Sequence, residues 1–192
     1  MLNTKIRESY ERLNAQALEQ TGVELLALSE KVADAASNEG RPTLARVMGK
    51  DFLANPALHQ EVFGPFSLLI CCSDKSEMKT VLESVHGQLT SSVMAEDDDV
   101  SAFQDCIDVL SRKAGRLIFN GVPTGVEVCA AMQHGGPFPA TTDARFSSVG
   151  DDALKRFARP LAYQGFPEDR LPDELKDSNP LAIRRVIDGS SS

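Results

Sequence analysis

An α/β fold, with a parallel sheet flanked by helices and a late edge strand, is what this sequence predicts. Short apolar runs alternate with amphipathic stretches through the middle of the chain. The spacers between those runs reach a dozen or more residues, long enough for the right-handed crossovers that parallel strands need. The composition, 42% hydrophobic and 25% charged over 192 residues, is that of a globular domain able to pack a core without disulfide or metal staples.

The elements follow in order. Residues Leu2 to Glu19 carry Ile6, Tyr10, Leu13, Ala17 and Leu18 at helical spacing among charged neighbours, an amphipathic helix. Val23 to Leu28, after Gly22, reads as a strand; Ser29 to Ala36 is a loop or a short helix. Thr43 to Val47, entered after Pro42, is a second strand, and Phe66 to Cys72, behind Pro65, a third. Asp74 with Glu77 three residues on is a capping-box pattern that opens a helix to about His86. Leu89 to Met94 is a strand, Asp98 to Arg112 a helix with Val100, Phe103, Ile107 and Leu110 on one face, and Arg116 to Phe119 a strand.

From Asn120 the pattern breaks. Gly121, Pro123, Gly125, Gly135, Gly136, Pro137 and Pro139 punctuate an irregular stretch, and long irregular segments inside compact domains are generally functional. Ser147 or Ser148 is expected to cap a short helix through Phe157. Leu161 to Gln164 reads as a final strand, where Pro160 suits an edge, and the residues after Gly165 as an extended tail. The expected boundaries are 1–159 for the main domain, 160–165 for the edge strand and 166–192 for the tail.

Composition also excludes partners. A net charge of −8 with scattered basic residues offers no footprint for a nucleic-acid backbone or an anionic membrane. No run approaches the roughly 20 apolar residues of a membrane span, and the polar start reads as a cytoplasmic chain without a signal peptide. Cys71, Cys72, Cys106 and Cys129 form no C-x-x-C pair and are expected as buried thiols. His59, His86 and His134 lack metal-ligand spacing, so no metal is expected. The run Glu96 to Asp99 reads as a solvated helix start that complements the helix dipole. Cys129, His134 and Asp143 invite a thiol-nucleophile reading, but no electropositive nucleophile context surrounds Cys129.

Glu61-Val62-Phe63-Gly64-Pro65, between a polar segment and an apolar strand, resembles the E-[IV]-F-G-P signature of the aldehyde dehydrogenase superfamily. The downstream order of elements, an Asn-containing loop and a Gly-Gly-Pro-Phe segment resemble the C-terminal portion of such enzymes across nearly the whole chain. The segments N-G-V-P-T-G-V at 120–126 and H-G-G-P-F-P-A-T-T-D at 134–143 are similar to the alpha-ketoglutarate semialdehyde (2,5-dioxovalerate) dehydrogenase branch, as are Arg159-Pro160 and Asn179-Pro180. The resemblance implies an aldehyde dehydrogenase catalytic-domain fold and NAD or NADP as cofactor of the full-length enzyme, none being expected on this chain alone. It also implies an aldehyde substrate and a homodimer built through a late strand.

By that resemblance Glu61 grips the nicotinamide ribose, since a carboxylate accepts two charge-assisted hydrogen bonds from vicinal hydroxyls, and Phe63 packs near the nicotinamide ring. Asn120, Pro123, Thr124, Gly125 and Phe138 border the substrate channel, where Arg145 would hold a distal carboxylate. No G-Q-x-C-type nucleophile segment precedes Glu61, and there is no G-x-G-x-x-G fingerprint. The implied function is therefore a catalytic-domain part without nucleophile or general base, inactive by itself. A non-catalytic α/β binding or assembly module derived from such an enzyme, and a hydrolase using Cys129 or a serine, are the alternatives.

Overall fold

The computed structural model describes residues 1–123, 125 and 127–191; Thr124, expected in the channel wall, lies outside them. The chain divides into two compact units, Met1–Arg156 and Phe157–Ser192, a boundary three residues ahead of the expected one.

In the first unit, α1 (Thr4–Leu18) starts where the Asn3 side chain accepts from the Ile6 N–H, which satisfies one of the amides a helix start leaves without an internal partner. Strands β1 (Glu24–Leu28) and β2 (Thr43–Met48) pair antiparallel, and β3 (Phe66–Cys71) joins β2 in parallel, Thr43 opposite Phe66. Strand β2 alternates strictly: Thr43, Ala45 and Val47 are buried, whereas Leu44 and Met48 are exposed. Val47 enters a core with Phe52, Leu58 and Val81. Phe52 lies on α2 (Gly49–Ala54) and Leu58 on the single 3-10 turn Pro56–His59, two elements too short for periodicity to disclose.

Helix α3 (Lys75–Ser84) begins at Asp74, whose carboxylate accepts from the Glu77 N–H. The reciprocal half of the expected capping box is displaced by one residue, because the Glu77 carboxylate accepts from the Ser73 N–H instead of that of Asp74. Strand β4 (Gln88–Val93) pairs in parallel with β5 (Ala114–Phe119). The single helix expected between them is two, α4 (Asp97–Ala102) and α5 (Gln104–Lys113), broken at Phe103, where φ is −111° and ψ 19°. Helices α3 and α5 pack together, burying Val81, Cys106 and Val109. Two lysines tie their ends: Lys75 Nζ donates to the Ala102 carbonyl and Lys113 Nζ to that of Glu83.

Parallel pairing is thus present twice, but among the described residues β3 and β4 do not share a sheet. A crossover helix does not oblige its two strands to be neighbours, and about a third of sequential strands are not.

The second unit corrects two expectations. Leu161 to Gln164 is not a strand within this chain, because no described segment supplies the ladder partner that defines one. The tail is not simply extended either: 3-10 turns span Glu168–Arg170 and Asp173–Leu175, and β6 (Val186–Ile187) and β7 (Ser190–Ser191) form a small hairpin. Its turn is Asp188-Gly189, both with positive φ (50° and 79°), the dipeptide that suits the right-handed twist of a two-residue hairpin.

Candidate functional site

Glu61 lies in the segment between the 3-10 turn Pro56–His59 and β3. The preceding turn is anchored by His59, whose ring stacks on Phe52 with centroids 4.2 Å apart and whose Nε2 lies 3.0 Å from the Phe52 carbonyl oxygen. Beyond it, Gly64 has a φ of +155° and the Phe66 N–H donates to the Gly64 carbonyl at 2.8 Å, a tight turn into β3. Between these anchors Glu61 is exposed and Phe63 is 63% exposed. The Glu61 carboxylate has neither a hydrogen bond nor an ion pair among the described residues.

The irregular stretch from His134 is sewn onto the starts of β4 and β5 by glycines. A Cβ on Gly115 would stand 1.7 Å from the Gly135 carbonyl oxygen, one on Gly87 2.1 Å from that of Pro137, and one on Gly136 2.2 Å from that of Gln88. Backbone meets backbone at distances no side chain permits. The stretch is closed by Ser147, which is 2% exposed: its hydroxyl accepts from the His134 and Val149 amides and donates to the Val149 carbonyl. Ser147 therefore staples a loop and does not cap a helix. Ser148 accepts from Arg156, and the turns from Asp151 to Phe157 are 3-10 in character.

This stitching brings the two distant motifs together. His59, Gln60 and Glu61 share a cleft of about 680 Å³ with residues His86 to Thr90, Pro139 and Ala140. Phe63 does not line this cleft; with Glu61 it borders a neighbouring hollow walled by Met1, Leu2 and Ile6. An exposed carboxylate without a protein partner is chemically suited to the diol of a sugar, so Glu61 fits a nicotinamide ribose.

The other expected site residues are distributed differently. Asn120 (φ 47°) clamps strand ends: its side chain accepts from the Ala95 N–H at 2.9 Å and donates to the Ala95 carbonyl at 2.8 Å, and its N–H donates to Val93. Pro123 is exposed, and the Gly125 carbonyl accepts from Arg116. Phe138 is 79% exposed and its neighbour Pro139 lines the cleft. Arg145 is not a free cation: Nε and Nη2 grip the two Asp143 carboxylate oxygens at 2.9 and 2.6 Å, while the guanidinium lies 5.6 Å over the Phe146 ring. Hydrogen bonds from Arg145 hold the Asp143 carboxyl down at about 2.

Burial pushes the thiols of Cys72 and Cys106 up, which disfavours the thiolate. No described hydrogen bond joins Cys129 to His134. Among the described residues no cluster of His, Cys, Asp or Glu could hold a metal ion, and no helix is long and apolar enough to cross a membrane. Sequence reasoning gave Tyr10 and Ser147 other roles, a helix face and a helix cap, and singled out Gly135 and Gly136 in the irregular stretch; it missed their partners Gly87 and Gly115 at the strand starts.

No protein-family model matches the chain. It is 46% identical over 191 residues to alpha-ketoglutaric semialdehyde dehydrogenase 2 of Azospirillum brasilense, covering all of this chain and 36% of that protein. It is 42% identical over 190 residues to an alpha-ketoglutaric semialdehyde dehydrogenase of Acinetobacter baylyi, covering 98% of this chain and again 36% of the relative. Among solved structures, lactaldehyde dehydrogenase from Escherichia coli superposes with a TM-score of 0.60 at 21% identity, over 82% of this chain and 30% of that one. A succinic semialdehyde dehydrogenase from Streptococcus pyogenes, solved with NADP+, gives 0.53 at 20% identity, over 70% and 27%. The chain thus spans little more than a third of the curated relatives' length and has the fold of part of an aldehyde dehydrogenase.

Proposed function

We propose that this chain, similar throughout to alpha-ketoglutaric semialdehyde dehydrogenases over 36% of their length, supplies the cofactor-side grip and part of the aldehyde channel of an NAD(P)-dependent aldehyde dehydrogenase. That enzyme oxidises an aldehyde, alpha-ketoglutarate semialdehyde, to its carboxylic acid. The observation that carries the reading is the cleft in which unpartnered Glu61 meets the 86–90 segment and the Pro139–Ala140 turn.

In this reading the Glu61 carboxylate accepts hydrogen bonds from the two nicotinamide ribose hydroxyls, and Phe63 limits where the ring can lie. The cofactor, when bound, accepts hydride from the substrate. Confining both partners to near-attack geometry is worth several kcal/mol of barrier. In this reading the nucleophile is supplied by a residue outside this chain, because none of its cysteines stands in a G-Q-x-C-type segment, and the isolated chain has no turnover. Arg145 would receive a distal substrate carboxylate by exchanging it for Asp143, one bidentate pair for another. Leu161 to Gln164, with Leu161 61% and Tyr163 40% exposed and its backbone without a ladder partner, would pair between two copies as an edge strand does.

The test is a hybrid enzyme in which this chain replaces the matching segment of the Azospirillum brasilense relative. Glu61→Gln in that hybrid is expected to slow single-turnover NAD(P)H formation and to weaken cofactor binding by about 1.5–3 kcal/mol, the worth of hydrogen bonds to a charged group. Unchanged single-turnover kinetics would remove Glu61 from the site. A hybrid that folds and assembles but never turns over would favour the non-catalytic module.

A further inference from the structure

We propose that Tyr10 is the positioning residue for the Glu61–Phe63 segment, an inference that rests on the cofactor-side reading of those two side chains. The segment has two ends to hold. The His59–Phe52 stack holds the first; among the described residues neither the Glu61 carboxylate nor the Phe63 ring makes a hydrogen bond, ion pair or ring contact. At the other end stands Tyr10, on α1 and 1% exposed.

Its ring is enclosed between two turns. A Cβ on Gly64 would approach Tyr10 Cδ2 to 2.4 Å, and one on Gly40 would approach Cδ1 to 3.2 Å. The hydroxyl donates toward the Arg41 carbonyl at 2.6 Å and the Pro65 carbonyl at 3.2 Å, and lies 3.5 Å from Thr43 Oγ1. Thr43 Oγ1 also accepts from Asn14 Nδ2, one turn along α1, at 3.1 Å. The Thr43 N–H donates to the Pro65 carbonyl at 2.9 Å, and Thr43 is opposite Phe66 at the first register pair of β2 and β3.

One phenol therefore fixes α1, the turn into β2 and the turn out of Glu61–Phe63 against one another. The absent side chain at Gly64 is what admits the ring. Moving that turn moves Glu61 and Phe63 together, because only a few residues separate them from it, so Tyr10 acts on cofactor placement without touching cofactor or substrate.

The experiment uses Tyr10→Phe, which keeps the ring and deletes the hydroxyl, in two measurements. In the chain itself, amide hydrogen exchange at Thr43 and Phe66, whose N–H groups donate to the Pro65 and Gly64 carbonyls, should rise about tenfold, the consequence of one lost hydrogen bond, while exchange in β4 and β5 stays unchanged as an internal reference. In the hybrid enzyme with the Azospirillum brasilense relative, KM for the nicotinamide cofactor should rise about fivefold to tenfold, with KM for the aldehyde changed less than twofold. A uniform rise in exchange over all strands, or cofactor and aldehyde KM rising together, would show a merely structural role and overturn the proposal. Should Tyr10→Phe fail to fold, Tyr10→Leu, which removes ring and hydroxyl and leaves the backbone at Gly64 untouched, must give the same selective pattern. If exchange rises locally but Glu61→Gln leaves the cofactor KM untouched, the cofactor-side reading has failed and the anchoring by Tyr10 has not.

Discussion

The two segments that border the cleft are held in place by different means. The turn after Glu61 is held by a side chain: the Tyr10 ring occupies the space that Gly64 leaves, and its hydroxyl shares one proton between the Arg41 carbonyl at 2.6 Å and the Pro65 carbonyl at 3.2 Å. The 134–149 stretch is held by main chain on main chain, at Gly87, Gly115 and Gly136, with one serine closing it. A side chain can be shortened or can shift to relieve a clash, whereas a strand backbone that is already hydrogen-bonded cannot. The first segment is therefore adjustable by substitution, and the second is not.

The largest expected effect tests that distinction. Gly115→Ala places a Cβ 1.7 Å from the Gly135 carbonyl oxygen, so the loop must lift off the strand; a loss of about 3 kcal/mol or more is expected in urea unfolding. Gly125→Ala, with nothing within 4 Å, should stay within about 0.5 kcal/mol. Truncating side chains near Gly115 should rescue nothing. At Gly64 the opposite is expected: Gly64→Ala and Tyr10→Leu, each destabilising alone, should be non-additive in a double-mutant cycle by about 1–2 kcal/mol, because the second change removes the ring that the first meets. Additivity there would mean that backbone strain, and not Tyr10, sets the cost.

Ser147→Ala follows. It strips three hydrogen bonds from a buried site and leaves the His134 and Val149 amides unpaired, a loss of about 1–3 kcal/mol. Limited proteolysis should then cut first between residues 134 and 149; cutting elsewhere would mean that the glycine stitches hold the loop without the serine.

The smallest effect concerns pH. Asp143 titrates at about 2 in the folded chain, below its ordinary 3.8, so its pair with Arg145 contributes fully above the ordinary value and is lost as pH falls through 2. Both groups are solvent-accessible, so salt should weaken the pair. A carboxyl-carbon NMR titration with a midpoint near 3.8 would show that Arg145 is free, and so available to a substrate carboxylate without an exchange.

Much of this was legible in the chain itself. Helix α1, strands β1 to β5 and the Asp74 cap follow from periodicity and local chemistry, because each depends on residues within a few positions of one another. The turn at Gly64 that leads from Glu61 and Phe63 into β3 was legible through a five-residue signature. The split at Phe103 was not, since Val100, Phe103, Ile107 and Leu110 keep helical spacing whether or not the backbone relaxes between them.

What only the tertiary structure decided are relations between distant residues. That Asn120 clamps Ala95, that Leu161 to Gln164 has no ladder partner among the described residues, and that Tyr10 meets Gly64 all depend on contacts whose partners no local pattern names. The sequence by itself determined which residues are apolar, which can cap a helix and which can take a positive φ. Distance in space, which decides that the Glu61 segment meets residues 86–90 and the Pro139–Ala140 turn in one cleft, arises only once the strands have paired and the glycines have let the loops approach them.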